Sequence, residues 1–262
     1  MCYNRLFVDS GAYSADKSGV PINIDDYMKF LHENKDKITV YANLDVIGDW
    51  AATWTNQRIM EHEGLHPLPV HHLEDPMKCL DWCLEYDYFA LGGVAGGATM
   101  KTRIRFFDKC WNKICSHTGI PKSKIHGFGM AAPQLVYRYP FYSIDTSSWV
   151  SYGRFGIVIL PRVTPGGVYD YSVPPVKVFV TDKSTKKGMD GVHYNTRSLQ
   201  EKEAFNAYLK HQDIPFGDED NKGVSNDNFW RDLLNYLFFT NMCKNTPEYP
   251  WSWKRPSSQT LF

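Results

Sequence analysis

Six times between residues 6 and 149, a short apolar run is followed by a stretch with helical spacing of its apolar residues. LFVDSGAYS (6 to 14) leads into IDDYMKFLHENKDK, and TVYANLDVI (39 to 47) leads into TWTNQRIMEHEG. PLPVHHL (67 to 73) precedes PMKCLDWCLEY, where Pro76 suits a first helical turn. DYFALGG (87 to 93) precedes a long helix near 98 to 117, KIHGFG (124 to 129) a short one from about 131, and FYSIDTSSW (141 to 149) ends the series. Strands alternating with helices in this way run parallel, each helix carrying the chain back to the same edge. The expected class is therefore α/β, with any chemistry at the carboxyl ends of the strands.

Strand after strand ends there in a polar or glycine-rich element: Asp9, Asp45, His71 with His72, Gly92 with Gly93, His126 and Asp145. Taken singly, each aspartate reads equally well as a helix cap or a solvated rim residue. DSGAY alone is an ordinary strand-to-helix turn, in which Gly11 lets the backbone turn sharply. Their concentration at strand ends points instead to an active site on one face of a (β/α)8 TIM-type barrel.

After residue 155 the pattern breaks. GIVILPR and VKVFVTD read as two strands of a hairpin or as late additions to the sheet, and DKSTKKGMDG as a polar loop. Helices are expected near 198 to 212 and 226 to 243, and the tail PEYPWSWKRPSS is expected to be irregular. The expected organisation is a barrel core over 1–155 and a hairpin, basic loop and helical region over 156–262. Only eight residues precede Asp9, so the barrel is expected to be incomplete, to be closed by the two later strands, or to come from a fragment.

A chain of 262 residues with 43% hydrophobic content can bury a sizeable core. Twenty-nine basic residues balance twenty-nine acidic ones, so a polyanion would be held by a local patch and not by the overall field. No apolar run reaches the roughly 18 to 20 residues of a membrane span, and the N-terminus lacks a basic region followed by an apolar core. A cytoplasmic protein without a membrane partner is expected. The six cysteines are scattered without zinc-type spacing and read as reduced thiols, so neither a metal nor another cofactor is expected.

Three aspartates at strand ends suit a reaction that needs a nucleophile, a proton-transfer group and a recognition group. A carboxylate can attack a sugar carbon with oxocarbenium character, so glycosyl transfer and glycoside or nucleoside hydrolysis are both open on chemical grounds.

DSGAY resembles the DSGGY or DSGGF motif of the tRNA-guanine transglycosylases, and FALGGVAGG is similar to their glycine-rich GGLAVGE loop. KIHGFG resembles their HYLMGVG stretch, and YSIDTSSW the segment that reads FDSAAY in the archaeal branch. Order and approximate spacing agree over residues 6 to 154. The DTSSW form and the lack of a cysteine between Cys115 and Cys243, where the tRNA enzymes carry a zinc-binding CxCxxC, most resemble the phage and bacterial DNA-modifying branch, the DpdA group. That resemblance implies exchange of guanine in DNA for a 7-deazaguanine such as preQ0, a modification that protects against restriction. The nearest alternative is the tRNA reaction of the queuosine or archaeosine type.

The resemblance implies roles residue by residue. Asp145 matches the nucleophile that attacks C1′, and Asp9 the carboxylate that assists proton transfer. Tyr13 matches the aromatic that stacks on the base, and Asp45 the carboxylate that reads its amide and amino edge. Gly92 and Gly93 match the loop whose backbone touches the base. His126, with Gly127, falls where a methionine more often lines the other face. His71 falls near a glutamine that recognises the base, although the register could equally select His72. For the polynucleotide, the first candidates are Arg154 and the loop bearing Lys183, Lys186 and Lys187; Lys101, Arg103, Arg105, Lys122, Lys124 and Arg138 read as solvated charges before anything else.

Overall fold

The computed structural model of the chain describes residues 6–93, 97–181 and 183–256. In chain order the elements are β1 (Leu6–Val8), α1 (Ala12–Ser18), α2 (Ile24–Glu33), β2 (Ile38–Tyr41), α3 (Trp50–His62), β3 (Val70–His72), α4 (Leu80–Cys83) and β4 (Tyr88–Gly92). There follow α5 (Met100–Ile114), β5 (Lys124–Gly127), α6 (Pro133–Arg138), β6 (Ser143–Ile144), α7 (Ser148–Arg154) and β7 (Ile157–Leu160). The series closes with β8 (Arg162–Val163), β9 (Tyr169–Asp170), β10 (Val176–Phe179), α8 (Leu199–His211) and α9 (Asn228–Lys244). The protein is thus mixed α/β with parallel strands, and all six expected strands form.

Two compact units emerge. The first holds the residues up to Gly129, Pro140–Ile144 and the stretch from Tyr249; the second holds Met130–Tyr139 and Asp145–Glu248. This division does not follow the expected boundary after residue 155.

In the first unit, β1 pairs with β2 and β3-β4-β5-β6 form a second ladder, every pair parallel. A parallel bridge between Ala42 and Leu68 joins the two ladders, so the strands lie in the order in which they occur. Strands four places apart on a flat sheet are about 19 Å from each other, at ~4.8 Å per strand. Yet the rings of Phe7 on β1 and His126 on β5 stack with centroids 4.4 Å apart, so the sheet curls strongly on itself. Phe7, Val40, Leu68, Val70, Tyr88, Ala90 and Phe128 pack together on its inner side. Among the described residues no pairing joins β6 back to β1, and a closed ring of strands is not seen.

The helices form where caps and apolar stripes dictate. Asn23 accepts from the Asp25 and Asp26 amides to start α2, and Asp49 accepts from Ala51 and Ala52 to start α3. On α5, Phe106, Phe107, Cys110, Trp111 and Ile114 recur at helical spacing and are buried.

In the second unit, β7 and β10 pair antiparallel, as GIVILPR and VKVFVTD suggested, with a small β8–β9 hairpin between them in the chain. Helix α8 opens with a reciprocal capping box, Ser198 with Glu201. Val158, Leu160, Val178, Phe205, Tyr208 and Leu234 share one core. Gly153 lets α7 lie against α9, because a Cβ there would meet the Asp232 backbone nitrogen at 3.2 Å and its carboxylate closer still.

Candidate functional site

The strand expected over 39 to 47 stops at Tyr41, and the reason places Asp45. The loop after Tyr41 and α3 bond each other through side chains: Asn43 Nδ2 of the loop donates to Thr53 O on α3 (2.8 Å), while Asn56 Nδ2 of α3 donates to Leu44 O (2.8 Å) and the Val46 amide donates to Thr53 Oγ1 (2.8 Å). Asp45 is held on both sides by these bonds. Its Oδ2 lies 3.3 Å from His72 Nε2, while its Oδ1 is buried with no donor in reach among the described residues.

His72 is the last residue of β3, and a tight turn brings Asp75 back to it. Asp75 Oδ2 accepts from the His72 amide at 2.7 Å and lies 3.5 Å from His72 Nδ1. Burial works against protonation of this imidazole, but the carboxylates of Asp45 and Asp75 outweigh it and push its pKa up to about 10. Burial likewise favours a protonated Asp75 carboxyl, and the His72 hydrogen bonds override that to hold it below its usual range.

Alternation along β3 settles the histidine register. Val70 packs on the inner side of the sheet, and His72 shares that face. His71, on the other face, is fully buried and stacks on Phe106 of α5 at 5.7 Å, where burial lowers its pKa to about 4. His71 therefore lies away from the Asp45 carboxylate, and of the two histidines it is His72 that stands beside it.

Gly92 and Gly93 have a physical reason within the fold itself. A Cβ on Gly92 would lie 3.0 Å from His72 Cδ2, and one on Gly93, whose φ is +74°, would lie 2.9 Å from the Leu73 amide nitrogen. Their missing side chains make room for the His72 ring and its turn. The neighbouring Val94, Ala95 and Gly96 of the glycine-rich run lie outside the described residues.

Asp9 follows β1 and is exposed, and Gly11 turns the chain with φ +76°. Neither Asp9 nor Ser10 is the cap residue of α1; that position is Gly11, and no side chain bonds there as a cap. Ser10 Oγ instead accepts from Ala12 N at 3.4 Å. The buried Tyr27 hydroxyl donates to Ala42 O (2.8 Å) and lies within the electrostatic reach of both Asp9 and Asp45. Burial, then the charge of Asp9, then that of Asp45 hold its pKa far above the usual phenol range, so both carboxylates act on one hydroxyl. Tyr13 is 50% exposed, with the Lys17 ammonium 5.3 Å from its ring centre.

His126 does not offer an open face. It is 2% exposed, stacked on Phe7, edge-on to Phe128 at 4.6 Å, and its Nδ1 is 2.7 Å from Ser143 Oγ, which also meets the Tyr88 hydroxyl at 2.6 Å. Its expected role as one face of a base sandwich is corrected to a core contact, with Phe7 occupying the face in question. Gly127 is the buried last residue of β5.

In the second unit, Asp145 is the exposed residue directly after β6 in the chain, and its carbonyl accepts from Met130 N at 2.8 Å. Arg154 ends α7 and is exposed; the Asp232 carboxyl, raised by burial, feels the opposing charges of Arg231 and Arg154. Lys183, Lys186 and Lys187 are exposed on turns closed by Ser184 N to Thr181 O (2.9 Å) and Lys187 N to Ser184 O (3.2 Å). A cleft of about 690 Å³ in this unit, lined by Leu160, Lys177, Tyr194, Arg197 and Tyr208 among others, includes none of the residues singled out from sequence.

The first unit thus brings together Asp9, Asp45, His72 and Gly92 at the carboxyl ends of its parallel strands. Asp75 and Tyr27 were missed. The signal for Asp75 was the three-residue step in HHLED, which lets a carboxylate cap the strand's last amide. Tyr27 sits on a helix and carried no such signal. Among the described residues no group of histidine, cysteine and carboxylate side chains could hold a metal ion. No protein-family model, curated protein or solved structure matches the chain.

Proposed function

We propose that the chain is a guanine transglycosylase acting on DNA, exchanging guanine for a 7-deazaguanine base through a covalent intermediate on Asp145. The observation that carries this reading is the gathering of two carboxylates, Asp9 and Asp45, with an imidazolium, His72, at the ends of parallel strands. The unreversed strand order and the Phe7 contact with His126 support a TIM-type barrel, or an arc of one, as the scaffold.

The chemistry balances. A guanine inside a duplex is shielded at C1′, so the nucleotide must leave the stack first. An Asp145 oxygen then bonds to C1′ as the bond from C1′ to N9 of the base breaks, and Asp9, which enters this step protonated from solvent, gives its proton to N9 of the departing guanine and is left as the carboxylate. The incoming base gives its N9 proton to Asp9 and displaces Asp145 from C1′. Base replaces base, so the step consumes no oxidant and no water. Guanine presents N–H donors at N1 and N2, and the Asp45 oxygen that has no donor among the described residues is a matching acceptor. Tyr13, half exposed beyond the Gly11 turn, has ring surface on which a base can stack.

The test is incubation with guanine-containing DNA, tRNA and a labelled 7-deazaguanine. Label is expected in DNA, with Asp145→Ala slower by roughly a thousandfold or more, as for other covalent nucleophiles. Label confined to tRNA would move the substrate to RNA. Label in neither polymer, with no covalent adduct, would overturn the reading.

A further inference from the structure

We infer that His72 and Asp75 form a positioning couple that fixes Asp45 by one carboxylate oxygen and leaves the other, Oδ1, as a single acceptor for the base. The inference rests on the base-exchange reading for the identity of the ligand, and on geometry for everything else. Both ring nitrogens of His72 are committed, Nε2 at 3.3 Å from Asp45 Oδ2 and Nδ1 at 3.5 Å from Asp75 Oδ2. Asp75 is in turn fixed by the His72 amide at 2.7 Å. The ring therefore has no donor left for a ligand, and it acts through Asp45.

Space has been cleared for this arrangement. The ring packs against Gly92, where an added Cβ would come within 3.0 Å of His72 Cδ2 and 3.4 Å of Val70 Cγ1. The charged and titratable groups around the couple are Asp45 from the loop after β2, with the Tyr27 hydroxyl and Asp9 coupled to it, Asp75 and His71 from β3 and its turn, with Lys113 and Asp81 acting on His71, and Cys79 and Cys83 near Asp75, thiols that burial keeps protonated. β4 sets Gly92 against the ring. An imidazolium between two carboxylates is a stable charge arrangement, and it leaves Asp45 Oδ2 occupied whatever binds. Oδ1, buried and without a donor among the described residues, is an acceptor whose satisfaction by a ligand N–H recovers a desolvation cost already incurred on folding.

The experiment uses the full chain with 15N-labelled histidine, together with calorimetric binding of free 7-deazaguanine. In the wild type at pH 8 the His72 ring is expected to show both nitrogens protonated, and Asp75→Asn is expected to lose that pattern. His72→Gln is expected to bind the base roughly tenfold more weakly and Asp75→Asn to lie between, the loss expected when a charge-assisted acceptor is no longer held in place. A folded Asp75→Asn keeps the test sound should His72→Gln fail to fold. A neutral His72 at pH 8 would overturn the couple. Wild-type base exchange with unchanged binding in His72→Gln would overturn the positioning role and leave the base-exchange reading standing. A doubly protonated His72 in a wild type that neither binds nor exchanges the base would instead bring down the base-exchange reading, and the role of Asp45 with it.

Discussion

Two buried polar clusters, one in each unit, are built on opposite plans. In the second unit Asn235 is fully buried, and its amide is used up by the chain: Oδ1 accepts from Ile159 N (2.9 Å), and Nδ2 donates to Ile157 O (3.0 Å) and Trp149 O (3.2 Å). Arg231 beside it donates to Gly153 O, Val224 O and Asn228 Oδ1, each at 2.9 Å. In the first unit Asp45, His72 and Asp75 satisfy one another and still leave Asp45 Oδ1 without a donor among the described residues. A polar group whose bonds all end within its own chain is explained by folding. One that keeps a buried acceptor unmet at a strand end calls for another reason.

The largest effect expected from this contrast is on stability. Asn235→Ala strips partners from one amide and two carbonyls around β7, and at 1 to 3 kcal/mol for each orphaned group the loss is about 3 kcal/mol or more. Asp45→Asn, by comparison, is expected to cost activity chiefly, because His72 keeps Asp75 as its counter-ion. Urea midpoints for the two variants check the difference, and the contrast breaks if Asp45→Asn unfolds as readily as Asn235→Ala.

A second effect separates two neighbouring histidines by pH. His71 has a folded pKa of about 4 against an ordinary 6.5, so the unfolded chain binds the extra proton and stability falls as pH drops from 6.5 toward 4. His72 has a folded pKa of about 10, so its contribution is complete below pH 6.5 and is lost as pH rises toward 10. From these two groups alone stability is greatest near pH 6.5. Unfolding curves across pH are expected to lose the acid decline in His71→Leu and the alkaline decline in His72→Gln; the reverse assignment would show that the β3 register has been misjudged.

The opposite fates of these two residues also mark what the sequence could disclose. Six strands, the order that follows from alternating helices, and the later antiparallel pair were legible, because apolar runs and caps are local signals. Strand ends were not. TVYANLDVI looks continuous, yet Thr53 and Asn56, a helix away, divert its backbone after Tyr41. The carboxylates at strand ends were legible for the same reason as the strands, whereas which histidine faced them depended on a one-residue register. Asp75 and Tyr27 matter only through tertiary proximity. His126 and the glycines stood out in the sequence, but that Phe7 stacks on the first and His72 packs against Gly92 depends on contacts between strands that no local signal carries.

A smaller effect follows at Gly92. An added methyl would meet the His72 ring at 3.0 Å, and a flexible imidazole can give by a few tenths of an ångström only by moving relative to Asp45. Gly92→Ala is expected to cost about 1 kcal/mol of stability, at the low end of overpacking, with a larger proportional loss in binding of the free base than in folding. Equal losses in both would assign the glycine to packing alone.

The smallest effect tests whether the lysine loop of the second unit lies along the polymer. Lys183, Lys186 and Lys187 stand exposed on backbone turns and hold no part of a core, so replacing all three with alanine is expected to leave the urea midpoint within about 0.5 kcal/mol of the wild type. If the loop lies along a nucleic-acid backbone, every phosphate that a lysine no longer neutralises lowers the slope of log affinity against log salt by about 0.9. The triple variant would then bind DNA several-fold more weakly at moderate salt and with a shallower salt dependence. Binding of the free base, which the proposed function assigns to the Asp45 cluster, should not change. A salt slope unaltered by the three substitutions would confine the polymer to other surfaces, and a change in free-base binding would contradict the assignment of the base to the Asp45 cluster alone.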